Sequence, residues 1–393
     1  MSDSEVVILS GARTAIGGFG GSLASVPPTQ LAATVTGAAL ERAGVRPDQI
    51  GTVVFGHVLN TEPRDMYLSR VAMLDAGIPD TATAMNVNRL CGSGAQAIVS
   101  ATQALLLGDA DFAVAGGAES MSRAPYAVPS ARFGAKMGDV KMLDMMVGAL
   151  TCPMGTGHMG VTAENVAAEN GISRQDQDQF ALESQNRAAK AIAEGRFKDQ
   201  IVPIEVKTRK GVVAFDTDEH PKETTLEKLA GLRPAFAKEG SVTAGNASGI
   251  NDGAAAIVLA RADAARAAGL VPRFRVLGYA IAGVPPHIMG VGPIPAVQDL
   301  LKRTGLSVGD FDVIESNEAF AAQAIAVNNG LGLDTARVNP NGGAVALGHP
   351  VGATGAILTV KAMYELDRIG GSKALVTMCI GGGQGIALAI ERI

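Results

Sequence analysis

The chain contains no tryptophan, four tyrosines and three cysteines in 393 residues, and only 4% of it is aromatic. The cysteines, Cys91, Cys152 and Cys379, are odd in number and far apart, which excludes a secreted disulfide framework and points to a reducing cytoplasm. No basic excess is present: the formal net charge is −5, whereas a general nucleic-acid binder carries a strongly basic footprint. No membrane span is expected, since uncharged stretches such as 338–360 are broken by Asn, Pro, Gly and His. The apolar core near the N-terminus is too short for a signal peptide, and the final ERI is no peroxisomal address. No close C-x-x-C or H-x-x-x-H pair occurs, so no metal is expected.

What is abundant is glycine, 49 residues of it, within a 47% hydrophobic composition that can build two or three packed domains. The pattern repeats. LERAGVRPDQIGTVV (40–54) matches LKRTGLSVGDFDVIE (301–315), with Leu40/Leu301, Arg42/Arg303 and Gly44/Gly305 coincident. Each copy reads as the end of an amphipathic helix, a glycine stop and an apolar strand. Downstream, CGSGAQAIV from Cys91 aligns with HPVGATGAI from His349, and each leads through a helix to a strand ending in glycines. The first half lacks its closing strand until 253–260, so about 130 residues are inserted.

Strands alternating with helices predict an α/β fold with mostly parallel sheets. The expected organisation is two repeated βαβαβαββ halves related by a pseudo-twofold axis, 1–119 with 249–271 and 272–393, plus an inserted loop domain over 120–248. The insert carries polar helices near 160–195 and a basic cluster, Lys207, Arg209, Lys210, Lys222, Lys228, Arg233 and Lys238, expected to face an anionic ligand. Symmetry would bring the helix starts bearing Cys91 and His349 together at the centre.

A helix N-terminus favours a thiolate, which marks Cys91 as a candidate nucleophile, although free cysteines are often simply buried hydrophobes. Cys379 ends a buried strand before GGGQG, and the run after it reads as a last strand. A dinucleotide fingerprint needs a helix there. The glycines are therefore read as allowing a backbone N–H to approach a reacting atom. Asn317 stands where strand FDVIE ends and a helix begins; it could cap that helix or serve a ligand at the carboxyl ends of the strands. His57, His220 and His287 read as ordinary side chains.

NRLCGSG around Cys91, NEAF at 317–320, GHPVGATG at 348–355 and CIGGGQG at 379–385 together resemble the signatures of the thiolase family. GGAESMSRAP, GHMGVTAEN and TAGNASGINDGAAA extend the similarity over essentially the whole chain, and the short biosynthetic-type acetyl-CoA acetyltransferases resemble it most. The resemblance implies that Cys91 accepts the acyl group with the help of His349, and that Cys379 is the acid/base at the substrate α-carbon. It implies one oxyanion hole from His349 and an Asn317-held water, and another from the N–H groups of Cys91 and Gly381. It places Leu150, His158, Met159, Phe236, Ala244, Ser248, Ala319 and Phe320 along a coenzyme A channel, with Lys222 and Lys228 near its outer end and Met289 at the acyl pocket. Acetyl-CoA and acyl-CoA thioesters are the implied ligands, coenzyme A being substrate or product, with no cofactor and a homotetrameric assembly. A decarboxylating ketoacyl synthase is disfavoured by the second cysteine, and a non-catalytic acyl-CoA carrier by the presence of both.

Overall fold

The computed structural model describes residues 5–209 and 211–393. In the first half, β1 (Val6–Arg13), α1 (Pro28–Ala43), β2 (Thr52–Gly56), α2 (Leu68–Asp75), β3 (Thr83–Val87), α3 (Ser93–Leu107) and β4 (Phe112–Ser120) follow one another. The insert then supplies α4 (Met159–Glu169), α5 (Arg174–Ala193), the hairpin β5 (Ile204–Thr208) and β6 (Gly211–Phe215), and α6 (Leu226–Ala230). The chain returns through β7 (Asn251–Arg261). The second half runs β8 (Phe274–Gly283), α7 (Pro293–Thr304), β9 (Val313–Ser316), α8 (Ala321–Leu331), α9 (Thr354–Ile369), β10 (Lys373–Ile380) and β11 (Gln384–Arg392).

The local grammar explains the repeat. Both α1 and α7 begin with a proline at the first turn, where its missing N–H costs nothing, and end on a left-handed glycine, Gly44 at φ 64° and Gly305 at φ 72°. Strand order across the sheet is β9-β10-β11-β8-β1-β7-β4-β2-β3. Within the sheet the two halves pair through Val7 with Arg275 and Ile8 with Phe274.

The sheet is mixed, which corrects the mostly parallel arrangement predicted. Helical crossovers make β2/β4, β2/β3 and β9/β10 parallel. The closing strand of each half runs the other way, so β7 is antiparallel to both β1 and β4, and β11 to both β8 and β10. β11 follows β10 through a three-glycine turn, Gly381 to Gly383, and a hairpin necessarily reverses direction. The last element is thus a strand, as read from the sequence.

α3 packs on β2 and β4, α9 on β10 and β9, and the two helices pack on each other between the half-sheets. The stretch Leu90–Leu107 is long and apolar enough to cross a membrane by composition, but 56% of it is buried inside this fold. The insert is tied to β1 by a buried pair, with Arg13 donating to both carboxylate oxygens of Asp218 at 2.8 and 2.9 Å. Breaking such a pair strands a buried charge at ~3–5 kcal/mol, so the tie is hard to release.

Candidate active site

The turn from β3 into α3 is tight. Leu90 has φ 46°, a left-handed conformation rare for leucine, and Ser93 braces it by accepting the Arg89 N–H at 2.9 Å and donating to the Leu90 carbonyl at 2.6 Å. Cys91 follows, just ahead of the N-cap Gly92, and is partly buried. Val351 of the second half, Leu59 of the first and Met121 at the start of the insert form the buried cluster against which it packs. Burial pushes its thiol up, opposed by the N–H groups of Gly381 and of Cys91 itself. The helix start therefore does not by itself yield a thiolate, contrary to what position alone suggested. The free thiol needs a proton acceptor.

A titratable side chain stands on the loop preceding α9, whose Val351 packs in the cluster that Cys91 joins. His349 is buried; its N–H donates to Asn251 Oδ1 at 2.9 Å, and its ring lies 2.6 Å from Thr354 Oγ1 and 3.4 Å from Asn317 Nδ2. Desolvation lowers its pKa to about 4, so the imidazole is neutral near pH 7. Asn317 is held at the end of β9 by its N–H to the Thr377 carbonyl at 2.9 Å, and its Oδ1 is buried with no partner among the described residues. A buried unpaired amide oxygen costs ~1–3 kcal/mol, which a bound water or substrate group would recover. Asn317 does not act as the N-cap of α8, whose N-cap is Phe320.

Cys379 lies on β10 opposite Gly385 of the returning strand and is fully buried. Burial and the neighbouring Cys91 push its thiol up, so it rests protonated. The two thiols are thus close enough to sense each other's charge, and the His349 loop reaches the same region through Val351, which packs with Cys91. Arg89 ties the first cysteine's segment to the second's by donating to Gln384 Oε1 at 2.7 Å.

Most of the expected channel residues gather here. Met159, Met289, Ala319, Phe320 and Phe236 pack in one cluster with Cys379, and Cys152 joins them. His158 stacks on Phe236 with centroids 4.8 Å apart, and Phe236 meets Phe320 edge-on at 6.0 Å. Leu150 packs near Cys91, and its carbonyl accepts the Met159 N–H at 2.8 Å. The Ser248 N–H donates to the Ala319 carbonyl at 3.0 Å. Ala244 is exposed beside Gly245, against which Leu229 of α6 packs, so Lys228 lies on the same outer rim. Lys222 is fixed only through its backbone, donating to Gln185 Oε1 at 2.9 Å.

The basic cluster is spread over several elements. Lys207 and Arg209 belong to the β5–β6 hairpin region, whose Ile204, Val206 and Phe215 pack with Phe197, while Lys222, Lys228 and Arg233 come from a loop and α6; Lys210 lies outside the described residues.

Three supporting residues escaped the sequence reading. Glu119 at the end of β4 accepts the N–H groups of Val58 (3.1 Å), Leu59 (3.1 Å) and Gly352 (2.9 Å), and so binds the His349 loop to the first half. Asn251 also donates to the Gly17 carbonyl at 3.0 Å, and Thr354 contacts the His349 ring. A carboxylate at the end of the apolar run FAVAGGAES, wholly buried in the fold, was the available signal.

Similarity to known proteins extends along the whole chain. The model of the thiolase N-terminal domain matches residues 6–263, and that of the thiolase C-terminal domain matches 270–392. The chain is 61% identical over 391 residues to the beta-ketothiolase BktB of Cupriavidus necator, covering 99% of both chains. It is 50% identical over 392 residues to an acetyl-CoA acetyltransferase of the same organism, covering 99% of this chain and 100% of that one. The crystal structure of human mitochondrial 3-ketoacyl-CoA thiolase in complex with CoA superposes at a TM-score of 0.96 with 43% identity, over 100% of this chain and 99% of that one.

Proposed function

This chain belongs to the thiolase family and is an acetyl-CoA acetyltransferase, and we propose that Cys91, His349, Asn317 and Cys379 carry its reaction. The overall chemistry is the reversible condensation of two acetyl-CoA to acetoacetyl-CoA and CoA. The observation carrying the assignment is that the Cys91 and Cys379 thiols are close enough to interact, while Val351, two residues beyond His349, packs in one cluster with Cys91.

In the first half-reaction the Cys91 thiol gives its proton to His349, and the sulfur attacks the thioester carbonyl. The N–H groups of Cys91 and Gly381 hold the oxyanion. The carbon–sulfur bond to coenzyme A breaks, and the leaving thiolate takes the Cys379 proton. In the second, the Cys379 thiolate removes a proton from the methyl of a new acetyl-CoA, while protonated His349 and a water on Asn317 hold the enolate oxygen. The enolate carbon attacks acetyl-Cys91, and the expelled Cys91 thiolate recovers its proton from His349. Protons balance within these side chains, so the proposed cycle calls for no metal or prosthetic group.

For coenzyme A we propose the channel formed by Leu150, His158, Met159, Phe236, Ser248, Ala319 and Phe320, with Ala244, Lys222 and Lys228 at its rim and Met289 beside the acyl group. Their packing around Cys379 supports it, as does the CoA complex of the human relative. Assembly as a homotetramer is supported by an exposed apolar segment in the insert, where Phe133 is 89% and Met137 97% exposed, and by the unpaired edge of β3.

Incubation with acetyl-CoA followed by peptide mass mapping is expected to place the acetyl group on Cys91. The Cys379→Ser variant is expected to accept that acetyl group yet lose ~10²- to 10⁴-fold in methyl deuterium exchange and condensation. Acetyl found only on Cys152 would refute the nucleophile, and normal exchange in Cys379→Ser would refute the base.

A further inference from the structure

The orientation of the His349 protons can be read from hydrogen-bond bookkeeping. Distances to a ring nitrogen do not reveal which one is protonated. Here, however, the Thr354 hydroxyl has two neighbours: His349 Nδ1 at 2.6 Å and the Pro350 carbonyl at 2.9 Å. The hydroxyl donates back to the Pro350 carbonyl, which also accepts the Ala353 and Thr354 N–H groups, the i−4 pattern common for a threonine in a helix. Thr354 Oγ1 can then only accept from the ring. With the hydroxyl donating to Pro350, the matching tautomer has its proton on Nδ1 and a bare lone pair on Nε2. The contact on the other side agrees, because the Asn317 amide turns its Nδ2, a donor, toward Nε2 at 3.4 Å and leaves its Oδ1 unpaired.

We infer that Thr354 is a positioning residue that fixes the tautomer of His349, so that Nε2 serves first as proton acceptor and then as hydrogen-bond donor. The inference rests on the role proposed above for His349. With Nδ1–H committed to Thr354, the resting Nε2 can take the proton from the Cys91 sulfur. Having taken it, the same nitrogen becomes an N–H donor, as the enolate oxygen of the second half-reaction requires. In the opposite tautomer Nε2 would already hold a proton and could not accept one, while the basic nitrogen would face a hydroxyl whose proton is already used. Thr354 is the first residue of α9 and is buried, so its hydroxyl is held in place beside the ring. A serine keeps the hydroxyl; a valine keeps the shape and loses it.

Rapid-quench acetylation of Cys91 by acetyl-CoA, with peptide mapping, tests this on the full-length enzyme. Thr354→Val is expected to slow acetylation by ~10²-fold, the size of a general-base contribution, with little change in the acetyl-CoA concentration at half-saturation. Thr354→Ser is expected to restore most of the rate. Valine acetylating within about threefold of the parent rate would overturn the inference, as would equal losses in valine and serine, since packing would then be the cause. If the valine variant does not fold, Thr354→Ala lacks the hydroxyl without crowding the helix start and is read the same way. Failure of the parent enzyme to acetylate Cys91 would instead remove the proposed function, so the two failures are distinguishable.

Discussion

Replacing Gly355 by alanine probes the place where the halves meet backbone to backbone. A Cβ on Gly355 would lie 2.2 Å from the Ala95 amide nitrogen and 2.8 Å from Ala95 Cβ; reciprocally, a Cβ on Gly94 would lie 2.7 Å from the Ala356 nitrogen. These are helix backbone atoms, and no rotamer change relieves the contact. Restoring an ordinary separation of ~3.5 Å requires α3 and α9 to part locally by about 1.3 Å. Overpacking of this kind costs ~1–3 kcal/mol, and the upper end applies because two helices must move together. The same shift reaches the chemistry, since Cys91 lies two residues before α3 and His349 five before α9. A misplacement of ~1 Å forfeits on the order of 10²-fold in rate. Urea unfolding and thiolysis of acetoacetyl-CoA should therefore both register Gly355→Ala. Gly37 in α1 is the control: its Cβ would meet nothing within 4 Å, so Gly37→Ala should be neutral or stabilising by up to ~1 kcal/mol. An unchanged unfolding midpoint and turnover within about twofold for Gly355→Ala would refute the reasoning, because a backbone clash of this size cannot be absorbed silently.

His349, whose pKa falls from 6.5 to about 4 on burial, should make the fold sensitive to acid. A depressed folded pKa means that stability is present above the unfolded value near 6.5 and is lost as pH falls toward 4. Between pH 7 and 5 the loss from this group is about 2 kcal/mol. Buried carboxylates with raised pKa, such as Glu119 and Glu318, act in the opposite sense, so the comparison must be with His349→Gln. Urea unfolding at both pH values should show a smaller acid loss in the variant, and equal losses would contradict the assignment. Light scattering should find a tetramer at micromolar protein, and a monodisperse monomer would exclude the proposed assembly.

Much of the protein was legible before folding because it is written in short-range terms. Gly44 and Gly305 stop equivalent helices, Cys91 and His349 stand just ahead of equivalent helix starts, and GGGQG leads into a strand rather than a helix. Each signal lies within a few residues, where backbone sterics and capping decide. Strand direction was different. β7 slips antiparallel between β1 and β4 after the whole insert has intervened, and hydrophobic periodicity carries no sign that distinguishes parallel from antiparallel partners. The electrostatics of the site likewise waited for the tertiary structure. A helix start predicts a lowered thiol pKa, yet desolvation beside Val351 and Leu59 raises it for Cys91, because burial is a sum over neighbours from both halves. Glu119 reaches Gly352 across 233 positions of sequence, and no local pattern announces such a bond. The candidate residues stand out in the sequence; their protonation, and the partners that hold them, were decided by what folding brought alongside.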